Sequence, residues 1–352
     1  MKQIIICLAF MFLSLNLNAQ SFIDQQTEQI ARQALVDGAA PYNNDIDYVG
    51  AVVIETKTGK ILTNVATKYD GARSVDWPEG NYEAVPSGLT RAAIYLALTG
   101  YVKPNLEIET GNGTYTDSIS RCRIRDLSEK WGGYGLLTLD ECLDKSNVGM
   151  IKASEIAFHK NAKRFSRALY ETGILFGSEP YDDNGMDEEE NVWRPCEIMG
   201  YNPYSLLQQA AWVNMVANGG RMVLLETEND DKRPIFTIRN REGLKCLRLA
   251  MEKIVKQGTG QHMQCDSVRV SGLTNATVTT APNTYYCFAA AFFPAESPRY
   301  TVAAYVTKQN LPAGRMLASK IVGQVINGMV GNGFLKKSTS DKTPRKIHPA
   351  EK

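Results

Sequence analysis

Residues 50–62 read GAVVIETKTGKIL, and this stretch decides the fold class. The apolar runs on either side of residues 57–60 predict two strands, and Gly59 gives the turn between them its backbone freedom. Upstream of this hairpin, residues 30–35 place isoleucine, alanine and leucine at helical spacing. The N-terminal part of the chain is therefore predicted to form a helix followed by a β-hairpin.

The rest of the chain has a mostly helical middle and an alternating final third. Strands are predicted at 268–273, 285–293 and 300–307, and a closing helix is predicted over 315–330. Strands from both ends of the chain must meet in one sheet around the helical middle. This arrangement predicts an α/β architecture of two subdomains with a cleft between them.

Several segments occur in the order found in the transpeptidase domain of the penicillin-binding proteins, and the chain most resembles the class B type. These segments are 22–35 with 50–62, 85–91, 138–149, 204–220, 258–260 with 271–275, and 292–300. The resemblance covers residues 22–332, and the order of the segments carries it more than any one motif. It implies a serine β-lactamase/penicillin-binding-protein transpeptidase-like fold, with a five-stranded antiparallel sheet flanked by helices and a helical lobe.

Residues 85–91 resemble the family's P-G-S-x-x-K segment. In the family, that serine attacks the penultimate D-Ala carbonyl of a peptidoglycan stem peptide, and the lysine one helical turn later accepts its proton. Here Gly88 stands at the serine position and Arg91 at the lysine position. Glycine offers no nucleophile, and arginine stays protonated in proteins, so it cannot act as the general base. Both halves of the acylation chemistry are missing at this motif.

The second motif, S-x-N in the family, is matched by the end of segment 138–149. Lys145 or Ser146 fills the serine position, because the run before the asparagine is one residue shorter than usual. Asn147 is kept in either alignment and can hydrogen-bond a peptide substrate.

The third motif has K-T-G in the family, and this chain has Leu273, Thr274 and Asn275 there. Leucine cannot attract a substrate carboxylate. A side chain at position 275 reduces the space beside the strand, where a peptide would approach the backbone closely. Only the threonine of this motif remains.

These residues support two functional hypotheses. In the first, the protein is a secreted, non-catalytic transpeptidase homologue that binds a wall stem peptide or an envelope protein, with Arg91, Asn147 and Thr274 as substrate-binding residues. Arg91 could instead pair with an acidic neighbour of its own chain. In the second hypothesis, an active D,D-transpeptidase or carboxypeptidase uses a displaced serine, either Ser87 or Ser146.

The N-terminus predicts export across the inner membrane to the periplasm. Residues 1–20 combine Lys2, a short apolar run and a small residue near a plausible cleavage point, which is typical of a signal peptide. An uncleaved membrane anchor is the alternative. The predicted domain organisation is then a transpeptidase-like domain over 21–334, followed by a disordered basic tail over 335–352.

Composition limits the partners. Without Lys2 the chain has 38 basic and 38 acidic residues, which argues against a nucleic-acid partner. The basic tail could contact anionic wall polymer or the membrane, or it could simply be a solvated terminus.

The cysteines form no C-x-x-C pair, and the acidic run 182–190 fits no EF-hand loop. We therefore expect no metal and no cofactor, and the spacing of the cysteines leaves disulfide pairing open.

Overall fold

A computed structural model provides the structure of the protein. It describes residues 24–42, 45–70, 73–76, 83–84, 87–117, 121–174, 193, 204–226, 233–278, 284–309 and 314–335. The predicted signal peptide and the acidic run 182–190 lie outside the described residues, as does the basic tail beyond Leu335. The structure therefore does not test these three predictions.

Helices form the outer layers of the fold, and they also make up most of the middle of the sequence. The α-helices of the described part are α1 (Gln25–Ala39), α2 (Ser87–Leu98), α3 (Leu139–Lys145), α4 (Asn147–Phe158), α5 (Ala162–Tyr170), α6 (Leu206–Ala217), α7 (Arg241–Gln257) and α8 (Gly314–Gly331). Local sequence explains several of their starts. Thr138 and Glu141 form a capping box at α3, and Ser205 with Gln208 forms another at α6.

The strands form one large sheet and three small ones. They are β1 (Ile46–Glu55), β2 (Ile61–Asp70), β3 (Arg73–Asp76), β4 (Glu107–Glu109), β5 (Thr114–Thr116), β6 (Arg123–Arg125), β7 (Leu136–Thr138), β8 (Arg221–Met222), β9 (Phe236–Thr237), β10 (Ser271–Val278), β11 (Thr284–Phe293) and β12 (Tyr300–Gln309). The large sheet is antiparallel, with the order β10-β11-β12-β1-β2-β3. Strands from both ends of the chain thus meet in its centre, as the sequence predicted.

Both faces of the large sheet are covered by helices. Along β11, Tyr286 and Phe288 face one hydrophobic core while Cys287 and Ala289 face the other. Helices α1 and α8 cover the second face, and α2, α6 and α7 cover the first. Successive side chains of a strand point to opposite faces, so a sheet covered on both sides needs an almost continuous apolar run. The sequence of β11 provides one.

Three details differ from the sequence predictions or complete them. The large sheet has six strands in the described part rather than five, because β3 folds back on the end of β2. The strand predicted at 268–273 is β10, which begins later, at Ser271, and continues through the β-branched residues that follow. The cysteines in the described part form no disulfide with one another; they are Cys122, Cys142, Cys246, Cys265 and Cys287.

The described residues show neither a membrane-spanning helix nor a cluster of metal ligands. Within them, no helix has the length and apolar character needed to cross a bilayer. The same part of the chain contains no cluster of three or more histidine, cysteine, aspartate or glutamate side chains arranged to hold a metal ion.

Candidate functional site

The three altered motifs converge where helix α2, the α3–α4 connection and strand β10 meet. Arg91 on α2 donates hydrogen bonds to the Asn147 side chain (Nη1 to Oδ1, 2.8 Å) and to the Thr274 carbonyl (Nη2 to O, 3.3 Å). Gly88, one turn earlier on α2, lies directly against Thr274 and Asn275. We call these five residues the motif junction. Residues far apart in sequence are thus brought together at one place in the fold.

Strand β10 fills the space where a nucleophile at Gly88 would stand. A Cβ atom built on Gly88 would lie 2.8 Å from the Thr274 carbonyl oxygen and 2.8 Å from the Asn275 Cβ. Asn275 is fully buried, and its amide donates to the Thr277 hydroxyl at 2.9 Å. Neither a backbone carbonyl nor a Cβ can rotate out of the way. The site therefore has no room for a serine at position 88.

Arg91 is engaged by its own chain. Its side chain is buried, with the residue only 3% exposed. Besides Asn147 and Thr274, it donates from Nε to the Leu143 carbonyl at 2.9 Å and from Nη2 to the Asp144 carbonyl at 3.3 Å. Leu143 and Asp144 lie in the last turn of α3, where carbonyls lack helical partners. The guanidinium thus caps the C-terminus of α3, where the helix dipole also favours a positive charge.

Asp126 anchors the opposite side of the α3–α4 connection and was missed by the sequence analysis. Its carboxylate accepts hydrogen bonds from the Ser146 hydroxyl (2.5 Å), the Asn147 N–H (2.8 Å) and the Val148 N–H (3.2 Å). Burial raises the pKa of Asp126, although these hydrogen bonds and the charge of Arg91 act in the opposite direction. An aspartate 20 residues before its partner belongs to no local capping pattern, so the sequence carries no signal for it.

Ser146, one of the two displaced nucleophile candidates, has a structural role. It is fully buried, and its hydroxyl donates to Asp126 and accepts from the Gly149 N–H at 2.8 Å. Ser146 is thus the N-cap of α4. A serine with its hydroxyl held in this way and no contact with solvent is not placed to attack a substrate.

Replacing Ser146 by alanine should therefore destabilise the protein by about 1–3 kcal/mol. The change removes a helix cap and leaves a buried Asp126 oxygen without its hydroxyl donor. Urea denaturation followed by circular dichroism would measure the loss. An unchanged midpoint would contradict the structural role and would revive Ser146 as a nucleophile candidate.

A second carboxylate, Asp144, closes the junction from the side of helix α7. The Thr259 hydroxyl donates a hydrogen bond to Asp144 Oδ1, and the Thr259 backbone nitrogen donates to Asp144 Oδ2 at 3.2 Å. The Thr259 hydroxyl also lies 2.6 Å from the hydroxyl of Thr274. A Cβ on Gly258 would lie 2.8 Å from Asp144 Oδ2, so the turn packs tightly around this carboxylate. Sequence reasoning gave Thr259 and Asp144 no role.

The remaining motif residues lie outside this network of hydrogen bonds. Lys145 points toward Glu141 (Nζ to Oε1, 3.9 Å) and toward the ring of Tyr134, whose centre is 5.2 Å from Nζ. Leu273 is buried in the hydrophobic core. Helix α2 begins at Ser87, but the side chain of this second nucleophile candidate lies outside the described residues.

The cleft expected between the subdomains is closed at these residues. Arg91, Thr274 and Asn275 are at most 3% exposed, and Gly88 is buried as well. The motif junction has no serine, the Thr274 hydroxyl lies 2.6 Å from that of Thr259, and the one charged group, Arg91, has acceptors from its own chain. The residues of the motif junction connect the helical lobe to the edge of the large sheet.

Comparison with solved structures identifies the fold. The chain is similar to the TP domain of penicillin-binding protein 3 from Burkholderia pseudomallei, with a TM-score of 0.64 and 21% identity over 88% of this chain and 95% of that one. It is equally similar to a peptidoglycan glycosyltransferase from Burkholderia ambifaria, with a TM-score of 0.66 and 21% identity over 88% and 96% of the two chains. The penicillin-binding-protein transpeptidase-like fold predicted from the sequence is confirmed.

Comparison at the sequence level is negative. The chain matches no protein-family model, and no curated protein matches it either. At 21% identity, the structural similarity establishes the fold and leaves the activity open.

Proposed function

We propose that this protein is a non-catalytic relative of the penicillin-binding-protein transpeptidases that acts in the cell envelope by binding rather than by acyl transfer. The observation that carries this proposal is the contact between Gly88 and strand β10. A side chain at position 88, where the family has its serine, would clash with the Thr274 carbonyl and the Asn275 side chain. The scaffold is kept while the chemistry at its site is absent, and fold alone does not confer activity.

The ligand we favour is an envelope protein rather than a wall stem peptide. A stem-peptide carboxylate bound by Arg91 would have to replace the carbonyl and amide oxygens that now accept its hydrogen bonds. It would also have to reach Arg91, which is almost fully buried beside Thr274 and Asn275. A protein partner can use the outer surface of the fold and leaves these bonds intact. We place this interaction in the periplasm, following the predicted signal peptide.

Labelling with a fluorescent penicillin tests the absence of acylation. Because only an acylating serine retains the label through denaturation, we expect no fluorescent band on a denaturing gel. An active serine D,D-transpeptidase, labelled in parallel, provides the positive control.

The alternative of a displaced nucleophile makes the opposite prediction. A labelled band that disappears in Ser87→Ala or Ser146→Ala would overturn the proposal and identify the nucleophile. Ser87→Ala is the cleaner variant, because Ser146→Ala is also expected to affect folding through the cap on α4.

A further inference from the structure

A cavity of about 350 Å³ lies on the face of the sheet opposite the motif junction. It is lined by the end of α1, the short 3₁₀ helix Gln261–Met263 and one side of α8. Its volume is within the range of about 300–1,000 Å³ that is usual for small-molecule sites. Nothing in the sequence motifs or in the proposed function uses it.

Two close backbone contacts build this cavity. A Cβ on Gly323 of α8 would lie 2.0 Å from the carbonyl oxygen of His262, and a Cβ on Gly38 of α1 would lie 2.6 Å from Ile321. The glycines therefore let the short 3₁₀ helix and the end of α1 rest directly on α8. The side chains of His262 and Asp37 are carried to the same cavity by these contacts.

The charged groups of the cavity are not neutralised by each other. Lys320 lines it, and within the described part of the chain this lysine has neither a hydrogen bond nor an ion pair. Asp37 accepts a hydrogen bond from Gln33 (2.8 Å) and forms no ion pair with any described residue. Burial and the charge of Lys320 lower the pKa of His262, and both side chains line the same cavity.

We propose that this cavity binds a small zwitterion, an amino acid or short peptide with both termini free. Lys320 and His262 form the wall that receives the ligand's carboxylate, and Asp37 receives its ammonium group. An anionic and a cationic side chain that line one cavity without an ion pair between them match a ligand that carries both charges. Tyr42 also lines the cavity.

Titration of the protein with four probes tests this site. Glycine and glycylglycine carry both charges at different separations, whereas acetate and ethylammonium carry one each. We expect saturable binding by calorimetry for a zwitterion, at concentrations at least about tenfold lower than for either singly charged probe. If acetate alone binds as well as both zwitterions, or if none of the four binds, the proposal fails.

Variants of the charged lining residues distinguish a specific binding site from nonspecific attraction to a charged surface. Lys320→Gln and Asp37→Asn should each weaken zwitterion binding about tenfold, because each removes one charge-assisted hydrogen bond. Lys256→Gln, an exposed lysine at the end of α7, is the matched control and should leave binding unchanged. Equal weakening in all three variants would show only nonspecific charge attraction and would overturn the site.

The imidazole of His262 gives a second readout. A carboxylate bound beside it should raise its pKa, because the negative charge favours the protonated form. NMR titration of the histidine ring signals, assigned with His262→Asn, should show this rise with glycylglycine. Asp37, Tyr42 and Lys320 also line the cavity, so the titration is compared with and without ligand in the same protein. An unchanged His262 pKa at saturation would overturn the assignment of the carboxylate wall.

Discussion

Replacing Gly88 by serine is expected to destabilise the protein by about 3 kcal/mol and to create no penicillin-reactive nucleophile. The new Cβ would stand 2.8 Å from a backbone oxygen of strand β10 and from the Asn275 Cβ. Overpacking a closed core costs about 1–3 kcal/mol, and the upper end applies because neither neighbour can rotate away. Urea denaturation measures the loss, and penicillin labelling checks the reactivity.

A double variant shows whether this clash is the cause. Asn275→Gly removes one of the two neighbours, so Gly88→Ser with Asn275→Gly should lose less stability than the sum of the single changes. Gly331→Ser is the matched control, since a Cβ there meets no atom within 4 Å. If Gly88→Ser unfolds at the same urea concentration as the wild type, the space at position 88 is open and the main argument against catalysis is lost.

The fold was predictable because its signals are local and periodic. The apolar run of β11 and the hairpin of β1 and β2 can be read from the sequence, and the run is continuous because both faces of the sheet are covered. The order of motif segments then supplied the topology. The edge strand β3 was not foreseen, because it has only four residues, and the side chains of residues 74–76 are exposed, so it carries little of this pattern.

The chemistry of the motif junction was only half predictable. The sequence shows that position 88 has no nucleophilic side chain, and that Asn275 adds a side chain that reduces the space beside its strand. It does not show that these two departures meet, because contact between distant residues leaves no mark in a single sequence. In the structure the small residue on α2 makes room for the larger one on β10. The glycine at position 88 and the asparagine at position 275 therefore compensate for each other in volume.

The partners of Arg91 were hidden for a different reason. The sequence raised two possibilities, a ligand carboxylate or an acidic neighbour. Three of its acceptors are instead backbone carbonyls, at Leu143, Asp144 and Thr274. Every residue has a carbonyl, so residue type cannot identify such a partner. Asp126 contributes only at longer range, through its charge.

Arg91→Ala is expected to destabilise the protein by about 3–5 kcal/mol. The change leaves the last carbonyls of α3 and the Asn147 side chain without their donor in a buried site. Lys145→Ala is the matched control, because Lys145 is partly exposed and makes only a long ion pair with Glu141 and a contact with the Tyr134 ring. That variant should lose less than about 1 kcal/mol. Urea denaturation of both variants at one ionic strength gives the comparison.

The pH dependence of this loss separates the structural role of Arg91 from ligand binding. The pKa of Asp126 is already raised by burial, and removing the charge of Arg91 should raise it further. A carboxyl with a raised pKa in the folded state contributes stability that is present below its unfolded pKa and is lost as pH rises through the folded value. The destabilisation by Arg91→Ala should therefore be larger at about pH 7 than at about pH 4. If the variant instead keeps wild-type stability at both pH values and loses a stem-peptide affinity that the wild type possesses, Arg91 is a ligand-binding residue and the junction opens in solution.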